Sequence, residues 1–270
     1  MGQSEPSVRW VLDIGRVSLT LEGPACWLEP FKQAWKHWSG GSSEWVVLLE
    51  EDETLPSPQT PLFTATLHFR DGHCFLESPG FIGKIVPDEK WAVLRAHPRA
   101  SLGDIAYFIR TAFAFRAFEM GAMLFHAAGL VHKGQAFVFF GPSGSGKTTL
   151  ACLSEGREIL SDDLLLLRCS HQRNWEVHAT PFSLCQTTTF SAPLRALLRL
   201  VKAEEDRLIP LSPGVALGEL VASSPVINAD PLRLPELFAR WEEILGSVPA
   251  FALFFRKSNA FWEVIDAELG

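Results

Sequence analysis

The run Gly141-Pro142-Ser143-Gly144-Ser145-Gly146-Lys147-Thr148 meets every fixed position of the pattern G-x-x-x-x-G-K-[ST]. Before it, Phe137 to Phe140 are aromatic and β-branched, as in a fully buried strand; after it, Thr148 to Leu153 can begin a helix. Strand, glycine loop and helix in that order predict a phosphate site. Glycines let successive backbone N–H groups turn inward as an anion nest, and the helix start adds the positive end of its dipole. Lys147 is expected to reach the β- and γ-phosphates of a nucleotide whose contacts run from Gly141 to Thr149. The Thr148 hydroxyl is the expected Mg²⁺ ligand, because a cation already held by phosphates needs only one or two protein oxygens. A glycine turn that carries a lysine by chance is the competing reading, and the agreement of motif with context speaks against it.

The pair Asp162-Asp163 comes only 15 residues after Lys147, which leaves room for a helix of about two turns and a short strand, Glu158 to Ser161. The pair precedes an apolar run, Leu164 to Leu167, instead of ending one. Adjacent carboxylates beside a phosphate loop suit phosphoryl transfer: one orients Mg²⁺ and the other accepts the proton of an attacking hydroxyl. Asp163 is assigned the general base and Asp162 the metal partner, and the two roles are open to exchange. Without the loop, Ser-Asp-Asp would read as an ordinary polar turn.

These motifs resemble a known family. Leu124-Phe125-His126-Ala127-Ala128-Gly129, the turn His132-Lys133-Gly134, the phosphate loop and Ile159-Leu160-Ser161-Asp162-Asp163 look like the catalytic core of HPr kinase/phosphorylase and its relatives, among them stand-alone kinases of peptide-modification clusters. The resemblance is firm over residues 101–190 and looser to residue 270, where Thr180-Pro181-Phe182 and an expected final pair of strands also fit. It implies an α/β fold with a phosphoenolpyruvate-carboxykinase-like P-loop kinase core that moves the γ-phosphate of ATP to a serine hydroxyl. It also implies a catalytic role for His126, phosphate and Mg²⁺ binding by Lys147 and Thr148, and an acidic pair at Asp162 and Asp163. By analogy with the family, a homo-oligomer is expected.

The departures mark a divergent relative rather than a true HPr kinase. HPr kinases have glycine after the histidine, and serine then glutamate after the loop lysine; this chain has Ala127, Thr148 and Thr149. They also carry a Glu-x-Arg-Gly signature downstream, whereas His178 to Phe190 contains no Glu or Arg. Another acceptor is therefore expected: a hydroxyl on a protein, a peptide or a metabolite. His126 ends the apolar run Ala122 to Phe125, where a histidine can equally be a packing residue; ahead of a phosphate loop it can steady the transferring group or tune the aspartate base. His132 is read as solvated and His178 as a more distant candidate. Arg207, Arg233, Arg256 and Lys257 are candidates for a cation over the γ-phosphate, and spacing does not rank them. The alternative function is a nucleotide-dependent ATPase or switch with no phosphorylated acceptor.

Composition limits the classes. With 47% hydrophobic and 11% aromatic residues, 270 residues can build one large or two ordinary domains. A net charge of −7 and the lack of any long Lys/Arg run argue against a nucleic-acid partner. Cys26, Cys74, Cys152, Cys169 and Cys185 include no C-x-x-C pair and read as reduced cytosolic thiols. Met1-Gly2-Gln3-Ser4-Glu5-Pro6 has neither signal-peptide nor myristoylation character. Arg110, Arg116 and Glu119 interrupt the longest apolar stretch, so no membrane span is expected and the chain is placed in the cytoplasm.

Two domains are expected: an α+β module over residues 1–100 and the catalytic domain over 101–270. In the first, strand patterns flank Gly15-Arg16, a helix carries the aromatic stripe Trp27, Phe31, Trp35 and Trp38 as core, and Leu62–Phe69 and His73–Glu77 form a hairpin at Asp71-Gly72. In the second, Ser101-Leu102-Gly103-Asp104 caps a helix, Ala192 to Lys202 reads as a helix, and Leu208 to Ala229 as irregular. A helix over Pro231 to Leu245 is followed by a hairpin whose strands are Phe251 to Phe255 and Phe261 to Ile265.

Overall fold

The computed structural model describes residues 6–170, 172–183 and 190–270. Cys185, the Leu184–Thr189 part of the segment that lacks the Glu-x-Arg-Gly signature, and Met1 to Glu5 lie outside the described residues. The fold is mixed α/β, with two sheets and six helices among the described residues. The chain divides into two compact units: residues 1–120 with 229–232, and residues 121–228 with 233–270.

The first unit is a seven-stranded sheet. Its strands are β1 (Ser7–Ile14), β2 (Val17–Pro24), β3 (Val46–Glu51), β4 (Leu67–Arg70), β5 (His73–Ser78), β6 (Phe81–Val86) and β7 (Trp91–Ala96), in the order β1-β2-β3-β7-β6-β5-β4. Helix α1 (Ala25–Ala34) follows β2, and Trp27, Phe31 and Trp35 are buried as the stripe predicts, whereas Trp38, the fourth residue of the stripe, ends a separate 3₁₀ turn and is only partly buried. Tight turns set the local register. Gly15 and Arg16 both have positive φ between β1 and β2, as do Asp71 and Gly72 between β4 and β5, which is the conformation of a type I′ hairpin. The expected strand Leu62–Phe69 is shorter than read: Leu62–Thr64 forms one 3₁₀ turn and β4 starts at Leu67. Helix α2 (Leu102–Glu119) opens with the expected capping box between Ser101 and Asp104, and it belongs to this unit.

The second unit contains β8 (Met123–His132), β9 (Gln135–Phe140), α3 (Lys147–Leu153), β10 (Glu158–Ser161), β11 (Leu164–Cys169), β12 (Trp175–Ala179), β13 (Ser191–Lys202), β14 (Arg207–Pro210), α4 (Pro213–Ala222), α5 (Leu234–Leu245), β15 (Ala250–Phe255) and α6 (Phe261–Leu269). Strand β8 changes partners part-way along. Met123 to His126 pair with β11, whereas Ala127 to His132 pair with β9 and Gly129 to Val131 with β10. Strand β13 runs parallel to both β9 and β15.

Three segments of this unit differ from their sequence patterns. Ala192–Lys202 is a strand, because Ala196, Leu197, Leu198 and Leu200 are buried between β9 and β15, and that placement overrides the helix propensity of Ala, Leu and Arg. Phe261–Ile265 belongs to a helix, which drives Phe261, Trp262, Ile265 and Leu269 into a core with Phe139, Leu150 and Leu198. Leu208–Ala229 contains β14 and α4; Gly214 and Gly218 mask the helix, which buries Ala216, Leu220 and Val221. The helix read over Pro231 to Leu245 is α5, beginning at Leu234.

Candidate functional site

The switch of partners along β8 assembles the site. His126 is opposite Leu164 of β11, and the next residue, Ala127, is opposite Phe140, the last residue of β9 before the glycine loop. Asp162 and Asp163 form the link between β10 and β11, both of which pair with β8, and the Ala127 N–H donates to the Asp163 carbonyl at 3.0 Å. Histidine, acidic pair and loop therefore meet at one point of the sheet. They line a pocket of about 370 Å³. Ser143, Gly144, Gly146, Lys147, Thr148 and Thr149 line it from the loop and the start of α3. His126, Asp162 and Asp163 face the same space, and Lys202, at the end of β13, completes the lining.

The two aspartates differ in environment. Asp162 is buried, and its Oδ1 accepts a hydrogen bond from the Ser183 hydroxyl at 2.7 Å. Asp163 has a side chain one-third exposed, and its Oδ1 lies 3.2 Å from Nε2 of the half-exposed His126. The Ser161 hydroxyl accepts from the N–H groups of Asp163 and Leu164, each at 3.2 Å, and fixes the link from below. Thr180, in the Thr180-Pro181-Phe182 stretch, donates to the Leu164 carbonyl at 2.7 Å and so ties that segment to the strand after the pair.

Lys147 is buried, and its ammonium donates to the Gly141 carbonyl at 2.9 Å and the Pro142 carbonyl at 3.4 Å. Burial pushes its pKa below the usual 10.5, and the negative charge of Asp163 partly offsets that shift. The loop geometry suits an anion. Gly144 and Gly146 have φ of 78° and 110°, and a Cβ at Gly146 would come within 2.9 Å of the Phe255 ring. Among the described residues, the buried Ser145 Oγ, beside Gly141, has no hydrogen-bond partner. A polyphosphate fits these groups. Thr148 and Asp162 are the oxygen donors suited to a cation bound with it, in line with the preference of Mg²⁺ for few protein ligands.

Residues 105–269 match the family model described as SynChlorMet cassette protein ScmC. The chain belongs to the ScmC family. The ScmC match takes in every pocket residue from His126 to Lys202. No curated protein matches the chain.

Other candidates lie elsewhere. The Arg207 guanidinium stacks 4.3 Å from the Phe254 ring centroid, and Arg256 pairs with Asp206 at 2.8 Å. Neither lines the pocket, nor do Arg233 and Lys257. His132, read as solvated, is mostly buried: its Nε2 is 2.8 Å from Asp266 and its ring packs 5.0 Å from that of Trp262. His178 lies on β12 with its Nε2 3.5 Å from Glu176, outside the pocket lining. Lys202 was not among the sequence candidates. Read as a helix end, it carried no signal; only the strand assignment of β13 brings it to the loop. Among the described residues no helix is long and apolar enough to cross a membrane.

Proposed function

We propose that the chain is an ATP- and Mg²⁺-dependent kinase, a divergent relative of HPr kinase on a phosphoenolpyruvate-carboxykinase-like core, that phosphorylates a serine-type hydroxyl on a protein, peptide or small metabolite. One observation carries this reading: a partly exposed carboxylate, Asp163, paired with His126, shares a pocket with a glycine loop and its buried lysine. A hydrolase needs only to position water, and a carboxylate held by an imidazole beside a phosphate cradle is also the arrangement that takes a proton from a bound alcohol.

Bound ATP supplies the phosphoryl group and Mg²⁺ screens its charge. Asp163 removes the acceptor's hydroxyl proton as the oxygen forms its bond to phosphorus, and ADP leaves with the electrons of the broken bond. His126 positions the Asp163 carboxylate. Asp162, buried and anchored by Ser183, would hold Mg²⁺ together with Thr148. Lys147 and the loop from Gly141 to Thr149 keep the phosphates in line.

The test follows γ-labelled ATP with Mg²⁺ in extracts separated into protein, peptide and small-molecule fractions. Acid-stable label is expected on one acceptor with the intact protein, reduced by about 10²-fold or more with Asp163→Asn, the usual cost of a lost general base. Free phosphate with no labelled acceptor overturns the kinase reading in favour of an ATPase switch.

A further inference from the structure

We infer that Lys202 is a second phosphate-binding cation of the site, contacting the terminal phosphate of the nucleotide opposite Lys147. The inference rests on the nucleotide-binding part of the kinase reading, and its geometry comes from a different element. Strands β9, β13 and β15 are parallel, with Arg199 opposite Phe140 and Lys202 opposite Phe255, so the last residues of all three lie at one edge. In α/β sheets ligands bind beyond the carboxyl ends of such strands. The glycine loop folds back over that edge: a Cβ at Gly141 would lie 3.7 Å from the Leu200 carbonyl, and one at Gly146 would meet Phe255. Alternation along β13 puts Lys202 on the face of Leu198 and Leu200, which pack in one core with Leu150 of α3. Lys202 thus emerges beside the loop and lines its pocket.

Charge gives this lysine a task. In the pocket lining, Lys147 faces two carboxylates, Asp162 and Asp163, an unfavourable balance for a triphosphate. Lys202 restores it. Its side chain is exposed and, among the described residues, pairs with no carboxylate, while Arg256 is engaged by Asp206 and Arg207 by the Phe254 ring. An exposed lysine on its four-carbon stem at the pocket is suited to follow charge that builds up as the terminal phosphoryl group departs.

The test titrates AMP-PNP and ADP, each with Mg²⁺, against the full-length protein and its Lys202→Met and Lys202→Arg variants. Lys202→Met is expected to weaken AMP-PNP binding by about tenfold, as for one lost charge-assisted hydrogen bond, and to leave ADP binding within about twofold. Lys202→Arg is expected to recover most of the loss. Retained ADP binding also shows that the variant is folded. An unchanged AMP-PNP to ADP affinity ratio in Lys202→Met overturns the inference and leaves the kinase reading standing. A selective loss in a protein for which no phosphorylated acceptor is found keeps Lys202 in place and removes the kinase reading. Failure of the parent protein to bind either nucleotide overturns both.

Discussion

Both units bury charged groups, but they satisfy them differently. In the first, Asp104 accepts from the Leu62 N–H at 2.6 Å, the Ser101 N–H at 3.1 Å and the Ser101 hydroxyl at 2.6 Å, so its carboxylate is consumed in holding α2 and the preceding turn. Asp52 likewise accepts from the Thr54 N–H at 2.9 Å and pairs with Arg95. In the second unit, buried Lys147 has only carbonyl partners from its own loop and forms no ion pair among the described residues, while Asp162 keeps an edge on the pocket. A buried charge tied into turns stabilises the fold. A buried ammonium whose hydrogen bonds go only to carbonyl oxygens opposes it, and such a group in a pocket is what the proposed nucleotide site calls for.

The largest effect is expected from Lys147→Met. Turnover should fall by about 10²–10³-fold, the cost of losing one preorganised stabiliser of the transferring group, and nucleotide affinity should fall with it. Stability should move the other way. Burial depresses the pKa of Lys147, so between its folded value and 10.5 the unfolded chain binds more protons and stability rises with pH; below that window the full cost of a buried ammonium remains. The melting temperature of Lys147→Met at pH 7 should therefore equal or exceed that of the parent. A clear drop would mean that Lys147 holds the loop together, and the contrast between the units would lose its basis.

Asp104→Ala should do the reverse. It orphans the Leu62 and Ser101 N–H groups and removes the reciprocal half of the capping box, a loss of about 1–3 kcal/mol measurable as a lower denaturant midpoint. Turnover of the folded fraction should not change. A Lys147-like loss of rate at unchanged stability would assign Asp104 to function.

The same contrast explains what the residues alone disclose. The cradle and Asp162-Asp163 stand in short motifs whose chemistry is local, His126 stands out only through the family resemblance and its place ahead of the loop, and the turns at Gly15-Arg16, Asp71-Gly72 and Lys133-Gly134 show in their residues because each takes two successive positive φ angles. Strand β13 has no such marker. Its identity depends on β9 and β15, neither adjacent to it in the chain, and its Ala-Leu-Arg composition favours a helix until both neighbours cover it. Lys202 is hidden by the same composition. The ScmC match names a family without naming a reaction.

The smallest effect asks whether the contrast belongs to the units or to the pocket. Asp266, on α6, accepts from Lys133 Nζ at 2.7 Å and lies 2.8 Å from His132 Nε2, outside the pocket lining. The hydrogen bond from Lys133, then that from His132, holds its carboxyl below the usual 3.8. A depressed carboxyl contributes stability that is fully present above the unfolded value and is lost as pH falls through the folded one. Asp266→Asn should therefore lower the melting temperature slightly at pH 7, and the gap from the parent should close below pH 3.8. Because the group is exposed, solvent screening keeps the gap small. Turnover should stay at the parent level, since this charge, though in the second unit, is spent on neighbouring elements in the way Asp104 is. A fall in turnover with no change in acid stability would show that charges throughout the second unit serve the site, and the dividing line would then lie between units instead of at the pocket wall.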